Sequence, residues 1–236
     1  MDRTAVVTGG SSGVGRATAL RLVKEGWRAA IVGTRADALN ETIKLSGKPH
    51  QMLACPCDIG DAGAVTAMTK RVTEKWGSVE LIVAAAGTNT PNRSLENLSL
   101  EDYRKVIDAN LNGAYFCVQA FLPDMRKNQR GTIVVVNSLA GLKASALSGV
   151  SYVMSKFGAA GLVQSINAEE NVNGVRATSI FPGDINTPLL DKRPNPPAKE
   201  LRANMLQPDD VTDCVMLAVN LPERVVVEEI VVRPRG

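Results

Sequence analysis

Two side chains separated by one helical turn could together carry out acid–base chemistry. Tyr152 and Lys156 are four residues apart in a segment of helical character, which places both on one face of a helix. A free tyrosine has a pKa of about 10, too high for efficient proton transfer near neutral pH. A lysine ammonium group nearby favours the phenolate and lowers that pKa. The pair therefore predicts a general acid or base. Because this spacing is common by chance, the prediction needs support from other motifs in the chain.

A glycine-rich segment near the N-terminus has the composition of a phosphate-binding loop. It runs from Thr8 to Gly15 (TGGSSGVG), between an apolar run that predicts a strand and an amphipathic run that predicts a helix. Glycines allow a tight turn and a close approach of the backbone to a pyrophosphate, and the helix start offers free N–H groups. The predicted phosphate contacts are Gly9, Ser11, Ser12, Gly13, Val14 and Gly15.

Short apolar runs alternate with longer amphipathic segments along the whole chain. Strands are predicted at 4–8, 29–33, 52–57, 81–85, 132–137, 175–181 and 225–232. Helices are predicted at 14–25, 36–45, 62–76, 100–127, 152–170 and 208–219, with Pro123 disturbing the end of the fourth. This alternation implies right-handed crossovers and a parallel sheet covered on both faces. The sequence therefore predicts an α/β fold in a single domain over residues 1–236, with a doubly wound parallel sheet of about seven strands.

One stretch interrupts this alternation. Residues 188–204 contain four prolines and show little periodicity. A long irregular segment inside a compact domain is typically a lid or a binding loop. We therefore expect residues 188–206 to form a substrate loop, the alternative being a surface excursion without function.

Composition and charge exclude several classes of protein. The 236 residues carry a formal net charge of +3, too small to indicate nucleic acid or a membrane surface as a partner. The four cysteines form no disulfide or metal-binding framework, and the single histidine, His50, is a weak basis for a hydrolase triad or a metal site. No signal peptide or membrane span is visible. We expect a complete cytoplasmic protein without a metal.

The spacing of the glycines resembles one family in particular. It is Gly-x-x-x-Gly-x-Gly rather than the general dinucleotide fingerprint, and with Tyr152 and Lys156 downstream it is similar to the short-chain dehydrogenase/reductase family. The resemblance extends from Thr4 to the last predicted strand. It implies a Rossmann fold and an oxidoreductase that transfers hydride between a nicotinamide cofactor and a carbonyl or alcohol substrate.

The end of the second strand indicates which nicotinamide cofactor is used. An acidic residue there binds the ribose 2′-hydroxyl of NAD, whereas an arginine accommodates the 2′-phosphate of NADP. This sequence has Thr34 followed by Arg35, and no carboxylate stands at this position. Arg35 can form a charge-assisted fork to a phosphate. The sequence favours NADP(H) over NAD(H).

The family resemblance implies further cofactor contacts. Asp58 would contact the adenine amino group and Ile59 would pack on the adenine ring. Ala85 and Gly87 lie in an Ala-Ala-Ala-Gly segment that replaces the family's Asn-Asn-Ala-Gly, so the polar side chains of that motif are missing. The segment after the sixth strand would hold the nicotinamide carboxamide, and its predicted contacts are Pro182, Gly183, Ile185 and Thr187.

The resemblance also assigns the reaction. Tyr152 would protonate the substrate oxygen, Ser138 would orient that oxygen, and Lys156 would lower the tyrosine pKa and bind the ribose hydroxyls. Asn110 would hold a water that resupplies the proton. The resemblance further implies a homodimer or homotetramer. Two other functions stay open, a redox-sensing NADP-binding regulator and a sugar-nucleotide epimerase or dehydratase. The intact set of four catalytic candidates disfavours the first, and the chain length and glycine spacing disfavour the second.

Overall fold

The computed structural model describes residues 3–235 and places seven parallel strands in one sheet. The strand order is β3-β2-β1-β4-β5-β6-β7, so the sheet grows in one direction from β1 to β3 and in the other from β4 to β7. The strands are β1 (Thr4–Thr8), β2 (Arg28–Gly33), β3 (Met52–Pro56), β4 (Leu81–Ala84), β5 (Gly131–Val136), β6 (Val175–Pro182) and β7 (Glu229–Val232). The predicted doubly wound Rossmann sheet is confirmed.

Helices cover both faces of this sheet. They are α1 (Gly13–Lys24), α2 (Ala36–Leu45), α3 (Ala62–Trp76), α4 (Leu100–Ile107), α5 (Gly113–Asn128), α6 (Val150–Glu170), α7 (Lys199–Arg202) and α8 (Pro208–Asn220). Every residue of β1 and of β6 is buried, as continuous apolar strands in a parallel sheet require. The core is split by the sheet, with Val6 and Phe121 on one side and Val7 and Leu22 on the other.

The long helical region between β4 and β5 differs from the predicted single helix. A π-helical turn at Asp108–Asn112 separates α4 from α5. Such turns insert an extra residue into the helix and occur frequently at functional sites, and hydrophobic periodicity does not reveal them. Pro123 lies inside α5 and does not end it, because the helix continues to Asn128 with Phe121 and Met125 buried against the core.

The predicted substrate loop is partly ordered. A 3₁₀ turn forms at Pro188–Lys192 and α7 follows at Lys199–Arg202. The base of the loop is closed by a short bridge, in which the N–H of Asn186 donates to the carbonyl of Leu206 at 2.8 Å. The two ends of the loop are therefore held together by backbone hydrogen bonds. The expectation of an irregular segment was only partly correct, because the loop contains two short helical turns.

The last strand is shorter than predicted, since residues 225–228 are not part of β7. The guanidinium of Arg176 donates instead to the carbonyls of Leu221, Pro222 and Val225 at 2.6 to 2.9 Å. Arg176 itself is 8% exposed, and these bonds are part-buried. The segment that leads into β7 is thus held by a side chain of β6 rather than by strand pairing.

Replacing Arg176 with methionine should loosen the C-terminal segment. We expect Arg176→Met to lower the free energy of unfolding by roughly 2–3 kcal/mol, because three part-buried hydrogen bonds from a charged donor are lost. Urea denaturation measures this loss, and backbone amide exchange should accelerate in Val225–Val232. The control is Arg224→Met, which removes an exposed arginine of the same segment. Equal stability of the two variants would contradict this role for Arg176.

Candidate active site

The loop after β1 lies against the backbone at the end of β4. Gly9 has φ 71°, and a Cβ on it would lie 2.9 Å from the carbonyl oxygen of Ala85. A Cβ on Gly15 would lie 2.4 Å from the carbonyl oxygen of Gly9. Both positions therefore require glycine, because real Cβ atoms do not approach backbone so closely. The glycine motif gives a turn with an open backbone surface.

The start of α1 is available to an anion. Ser12 is the N-cap residue, but its side chain makes no capping hydrogen bond, and the first turn contains no acidic residue. The free N–H groups and the positive end of the helix dipole suit a pyrophosphate. Thr187 lies beside this turn, where its Cγ2 would be 3.1 Å from a Cβ on Gly13. The loop after β6 therefore meets the glycine loop.

The Ala-Ala-Ala-Gly segment at the end of β4 lacks the family's asparagines but is held by other polar contacts. The hydroxyl of Thr8 accepts the N–H of Ala85 at 3.1 Å and that of Ala86 at 3.0 Å. These bonds give the Ala-Ala-Ala-Gly segment a fixed position, with Gly87 exposed at its end. The polar support that the asparagine side chains would supply comes here from Thr8 and from Asn110.

Asn110 lies in the π-helical turn and is buried. Its Oδ1 accepts the N–H of Thr88 at 2.7 Å, and its Nδ2 donates to the carbonyl of Thr88 at 3.0 Å and to Ser155 Oγ at 3.1 Å. The side chain thus ties the segment after β4 to α6. These contacts give Asn110 a positioning role that the sequence did not indicate.

Thr34 and Arg35 are exposed at the end of β2. A guanidinium nitrogen of Arg35 donates to Ser11 Oγ at 3.3 Å, so this cation lies beside the glycine loop. Arg16 also contacts this loop, since it donates to the carbonyl of Ser11 at 2.7 Å and pairs with Glu41. Sequence reasoning missed Arg16, which follows the last glycine of the motif directly.

Asp58 and Ile59 follow β3 but differ in exposure. The carboxylate of Asp58 is exposed and accepts the N–H of Gly60 at 3.0 Å, which leaves its other oxygen free for a ligand. Ile59 is 7% exposed and belongs to the core, where it packs against Gly113. The expectation that Ile59 covers the adenine ring therefore needs correction, because its side chain points into the core.

A cavity of about 510 Å³ lies beyond the glycine loop at the carboxyl ends of β5 and β6. Tyr152 and Ser138 both line it. The predicted carboxamide contacts line it as well, namely Pro182, Gly183, Ile185 and Thr187. Residues from three separate segments of the sequence are therefore brought together in one place.

Lys156 lies behind Tyr152 on α6. It is 4% exposed, its Nζ is 5.6 Å from the centre of the tyrosine ring, and it donates to the carbonyl of Val136 at 2.9 Å. Burial lowers the pKa of Lys156 to about 8. The lysine is therefore charged over most of the range below pH 8.

The electrostatics of Tyr152 differ from the expectation. Burial raises the pKa of Tyr152 above its ordinary value, and the hydrogen bond with Ser138 opposes that rise. The charges that lower this pKa belong to Arg193 and Arg93, and Lys156 is not among them. Sequence reasoning missed both arginines because neither belongs to a motif, and only the folded chain brings them to the cavity.

Comparison with known proteins identifies the family. The model of the short chain dehydrogenase family matches residues 3–197, which is most of the chain. This chain belongs to the short-chain dehydrogenase family. It is an oxidoreductase of that type, and its geometry suits a nicotinamide dinucleotide.

Individual relatives of this dehydrogenase cover nearly its whole length. Sepiapterin reductase of Chlorobaculum tepidum is 31% identical, with 99% of this chain and 97% of that protein aligned. Glycine betaine reductase ATRR of Emericella nidulans is 32% identical over 99% of this chain, which spans only 19% of that protein. An alcohol dehydrogenase from the archaeon Thermococcus sibiricus, solved with 5-hydroxy-NADP, superposes with a TM-score of 0.88 at 28% identity. That alignment covers 100% of this chain and 97% of the archaeal one.

The helices of this dehydrogenase differ from membrane-spanning helices in length or hydropathy. None of those within residues 3–235 combines the length and the hydropathy that crossing a membrane requires.

Replacing Gly15 with alanine should abolish tight cofactor binding. The added Cβ collides with the carbonyl of Gly9, so the loop must shift away from the position that receives a pyrophosphate. We expect Gly15→Ala to raise the Kd for NADPH by about 30-fold, equivalent to ~2 kcal/mol of binding free energy. Fluorescence titration measures the Kd. Gly161→Ala is the control, since a Cβ there meets nothing within 4 Å. Equal affinity of the two variants for NADPH would contradict the assignment of the glycine loop to the pyrophosphate.

Proposed function

We propose that this dehydrogenase is NADP(H)-dependent and interconverts a carbonyl group and an alcohol, with Tyr152 as the general acid or base. The observation that carries the proposal is that Tyr152 and Ser138 lie together on the wall of one cavity, with Lys156 directly behind the tyrosine ring. Thr187 connects this cavity to the glycine loop, so a dinucleotide bound on the loop reaches the pair. Residues 1–236 then act as one catalytic unit, with residues 188–206 as the substrate loop.

The preference for NADP(H) rests on the charge beside the glycine loop. Arg35 is the exposed cation that contacts Ser11, and the neighbouring Thr34 offers no carboxylate to repel a phosphate. A guanidinium binds a 2′-phosphate through parallel charge-assisted hydrogen bonds. The archaeal structure with 5-hydroxy-NADP supports this preference, since its fold is the same.

The raised pKa of Tyr152 suits the direction of reduction. A phenol whose pKa lies above its ordinary value keeps its proton near neutral pH and is ready to donate it. Ser138 holds the substrate oxygen, and its hydroxyl stabilises the charge that develops there. The nicotinamide supplies or accepts the hydride when it is bound. In oxidation the same phenol must first lose its proton, so that direction is favoured at higher pH.

Lys156 and Asn110 support the reaction from behind Tyr152. Lys156 is fixed by its bond to Val136, and its ammonium group would bind the ribose hydroxyls of the cofactor. A cofactor in that position would bring further positive charge to the tyrosine and lower its pKa. Asn110 holds Thr88 and Ser155 and thereby fixes α6 against the end of β4. A water held near Asn110 would resupply the proton.

The remaining cofactor contacts follow the geometry of the loops. The free oxygen of Asp58 would accept the adenine amino group, and Ala85 and Gly87 would approach the adenosine through their backbone. The backbone near Ile185 and the hydroxyl of Thr187 would hold the carboxamide. Pro182 and Gly183 direct that segment towards the cavity.

A homodimer or homotetramer is part of this proposal. Helices α5 and α6 expose large apolar side chains, with Tyr115, Met154 and Phe157 each 46 to 48% exposed. Side chains of this kind on adjacent helices favour packing against a second copy across a two-fold axis.

The assignment of Tyr152 is tested by removing its hydroxyl. We expect Tyr152→Phe to lower the turnover of aldehydes and ketones with NADPH by about 10²–10⁴-fold, as the loss of a general acid requires. The Kd for NADPH should change little, because the glycine loop is untouched. Steady-state kinetics and fluorescence titration measure the two quantities. Tyr103→Phe, on α4 and outside the cavity, is the matched control, and undiminished turnover in Tyr152→Phe would overturn the proposed mechanism.

The assignment of Arg35 is tested by comparing two cofactors. We expect Arg35→Ser to weaken NADPH binding by about tenfold, or ~1.4 kcal/mol, while NADH binding stays the same. The reason is that only NADPH carries the 2′-phosphate. Titrations with both cofactors measure the ratio, and Lys44→Ser removes an exposed cation of α2 as the control. An equal loss for NADPH and NADH would contradict the assignment.

A further inference from the structure

The cavity beside Tyr152 has an excess of fixed positive charge. Among the described residues that line it are Arg93, Arg193 and Arg233, whereas Asp184 is the one carboxylate. Asp184 forms a salt bridge with Arg193, which leaves the charges of Arg93 and Arg233 without a carboxylate partner in the lining. Arg233 is exposed to solvent, so its charge is screened, while that of Arg93 is not.

Arg93 is a buried cation held only by neutral groups. It is 6% exposed, and its guanidinium donates to the carbonyls of Thr90 at 2.7 Å, Leu147 at 3.1 Å and Lys192 at 2.6 Å. Within residues 3–235 no salt bridge satisfies its charge. A guanidinium has five N–H groups, so two donors remain for a ligand. A buried charge without an opposite charge is costly unless something in the cavity compensates it.

The position of Arg93 relative to Tyr152 is fixed by the backbone around it. The carbonyl of Arg93 accepts the N–H of Val150 at the start of α6, at 3.2 Å. Asn89 donates to the carbonyl of Ser148 at 2.9 Å and holds the same segment two residues before Val150. Because Tyr152 lies in the first turn of α6, the arginine and the tyrosine are held by one rigid unit.

Arg193 reaches the cavity from the substrate loop. Its pairing with Asp184 keeps it there, since Asp184 lies directly before Ile185 at the closed base of that loop. Arg193 and Arg93 line the same cavity as Tyr152, and their charges lower the pKa of the tyrosine. The two arginines come from different segments and converge on one cavity.

We propose that the substrate of this dehydrogenase carries a carboxylate, which Arg93 and Arg193 bind while its oxo or hydroxyl group meets Tyr152 and Ser138. The substrate class is therefore a short oxo acid or hydroxy acid. In reduction the oxo carbon gains a hydride, its oxygen gains a proton, and the reduced nicotinamide dinucleotide is oxidised in the same step. This inference rests on the function proposed above and specifies its substrate.

The size and the charge of the cavity both fit such a compound. A volume of about 510 Å³ accommodates a small molecule of this size. A carboxylate accepts parallel charge-assisted hydrogen bonds from a guanidinium. A neutral analogue would leave the donors of Arg93 desolvated and unpaired, and sites with buried polar groups discriminate strongly against such analogues.

Matched acids and esters test the proposal. The substrates are 4-oxobutanoate and its methyl ester, and acetoacetate and its methyl ester, each reduced with NADPH by the full-length protein. We expect kcat/KM for the acids to exceed that for the esters by about tenfold or more, mainly through KM. In Arg193→Gln this ratio should fall towards one, and Arg193→Lys should restore part of it. Lys127→Gln removes an exposed cation of α5, outside the cavity and the substrate loop, and should leave the ratio unchanged.

A binding measurement without turnover separates the two proposals. Succinate, which has no oxo group, should raise the Tm of the protein with NADP⁺, and its dimethyl ester should not. Esters reduced as well as acids, with no effect of succinate, would overturn the carboxylate site and leave the reductase proposal standing. Stabilisation by succinate that depends on Arg193, without reduction of any compound, would support the carboxylate site and contradict the reaction. Neither reduction nor stabilisation would overturn both.

Discussion

The turn after β1 is in contact with the backbone at the end of β4, and the geometry of the rest of the site depends on that contact. Gly9 has no side chain because the carbonyl of Ala85 occupies the space, and the hydroxyl of Thr8 accepts the N–H groups of Ala85 and Ala86. The strand order reverses between β1 and β4, and a crevice forms at such a point. A single close contact therefore defines both the shape of the glycine loop and the place where a dinucleotide crosses the sheet.

The same edge of the sheet positions the proposed catalytic side chains. Ser138 follows β5, and α6 is held against β5 and β6 by the amide of Asn137, which donates to the carbonyl of Lys156 and to Ser179 Oγ. Tyr152 and Lys156 are consequently fixed by a buried polar contact rather than by apolar packing alone. Such contacts depend on direction as well as distance, so they specify the rotation of α6 about its axis. The chemistry at the cavity depends on this rotation.

Features of the fold and the site that depend on interactions between residues close in the sequence could be predicted, and features that depend on distant residues could not. Local patterns predicted the strands, the helices and the glycine turn, because period and turn chemistry act over a few residues. They did not predict the π-helical turn around Asn110. Nor did they predict the late start of the last strand, where tertiary contacts of Arg176 hold the preceding residues. Ile59 was assigned to the adenine although Gly113, distant in the sequence, opens a core position for it. Arg93 and Arg193 belong to no motif, and no sequence spacing indicates that they share a cavity.

Burial affects both Tyr152, the proposed acid, and the proposed carboxylate site formed by Arg93 and Arg193. The cavity that withholds water from Tyr152 raises its pKa, and the same lack of water strengthens the field of Arg93, which lowers that pKa. A carboxylate bound between Arg93 and Arg193 would neutralise that field, so the phenol would hold its proton more tightly with substrate present than without it. Binding of the anion and protonation of Tyr152 are then linked, each favouring the other to the same extent. A site built this way keeps Tyr152 protonated while the substrate is bound, which is what an acid catalyst for carbonyl reduction requires.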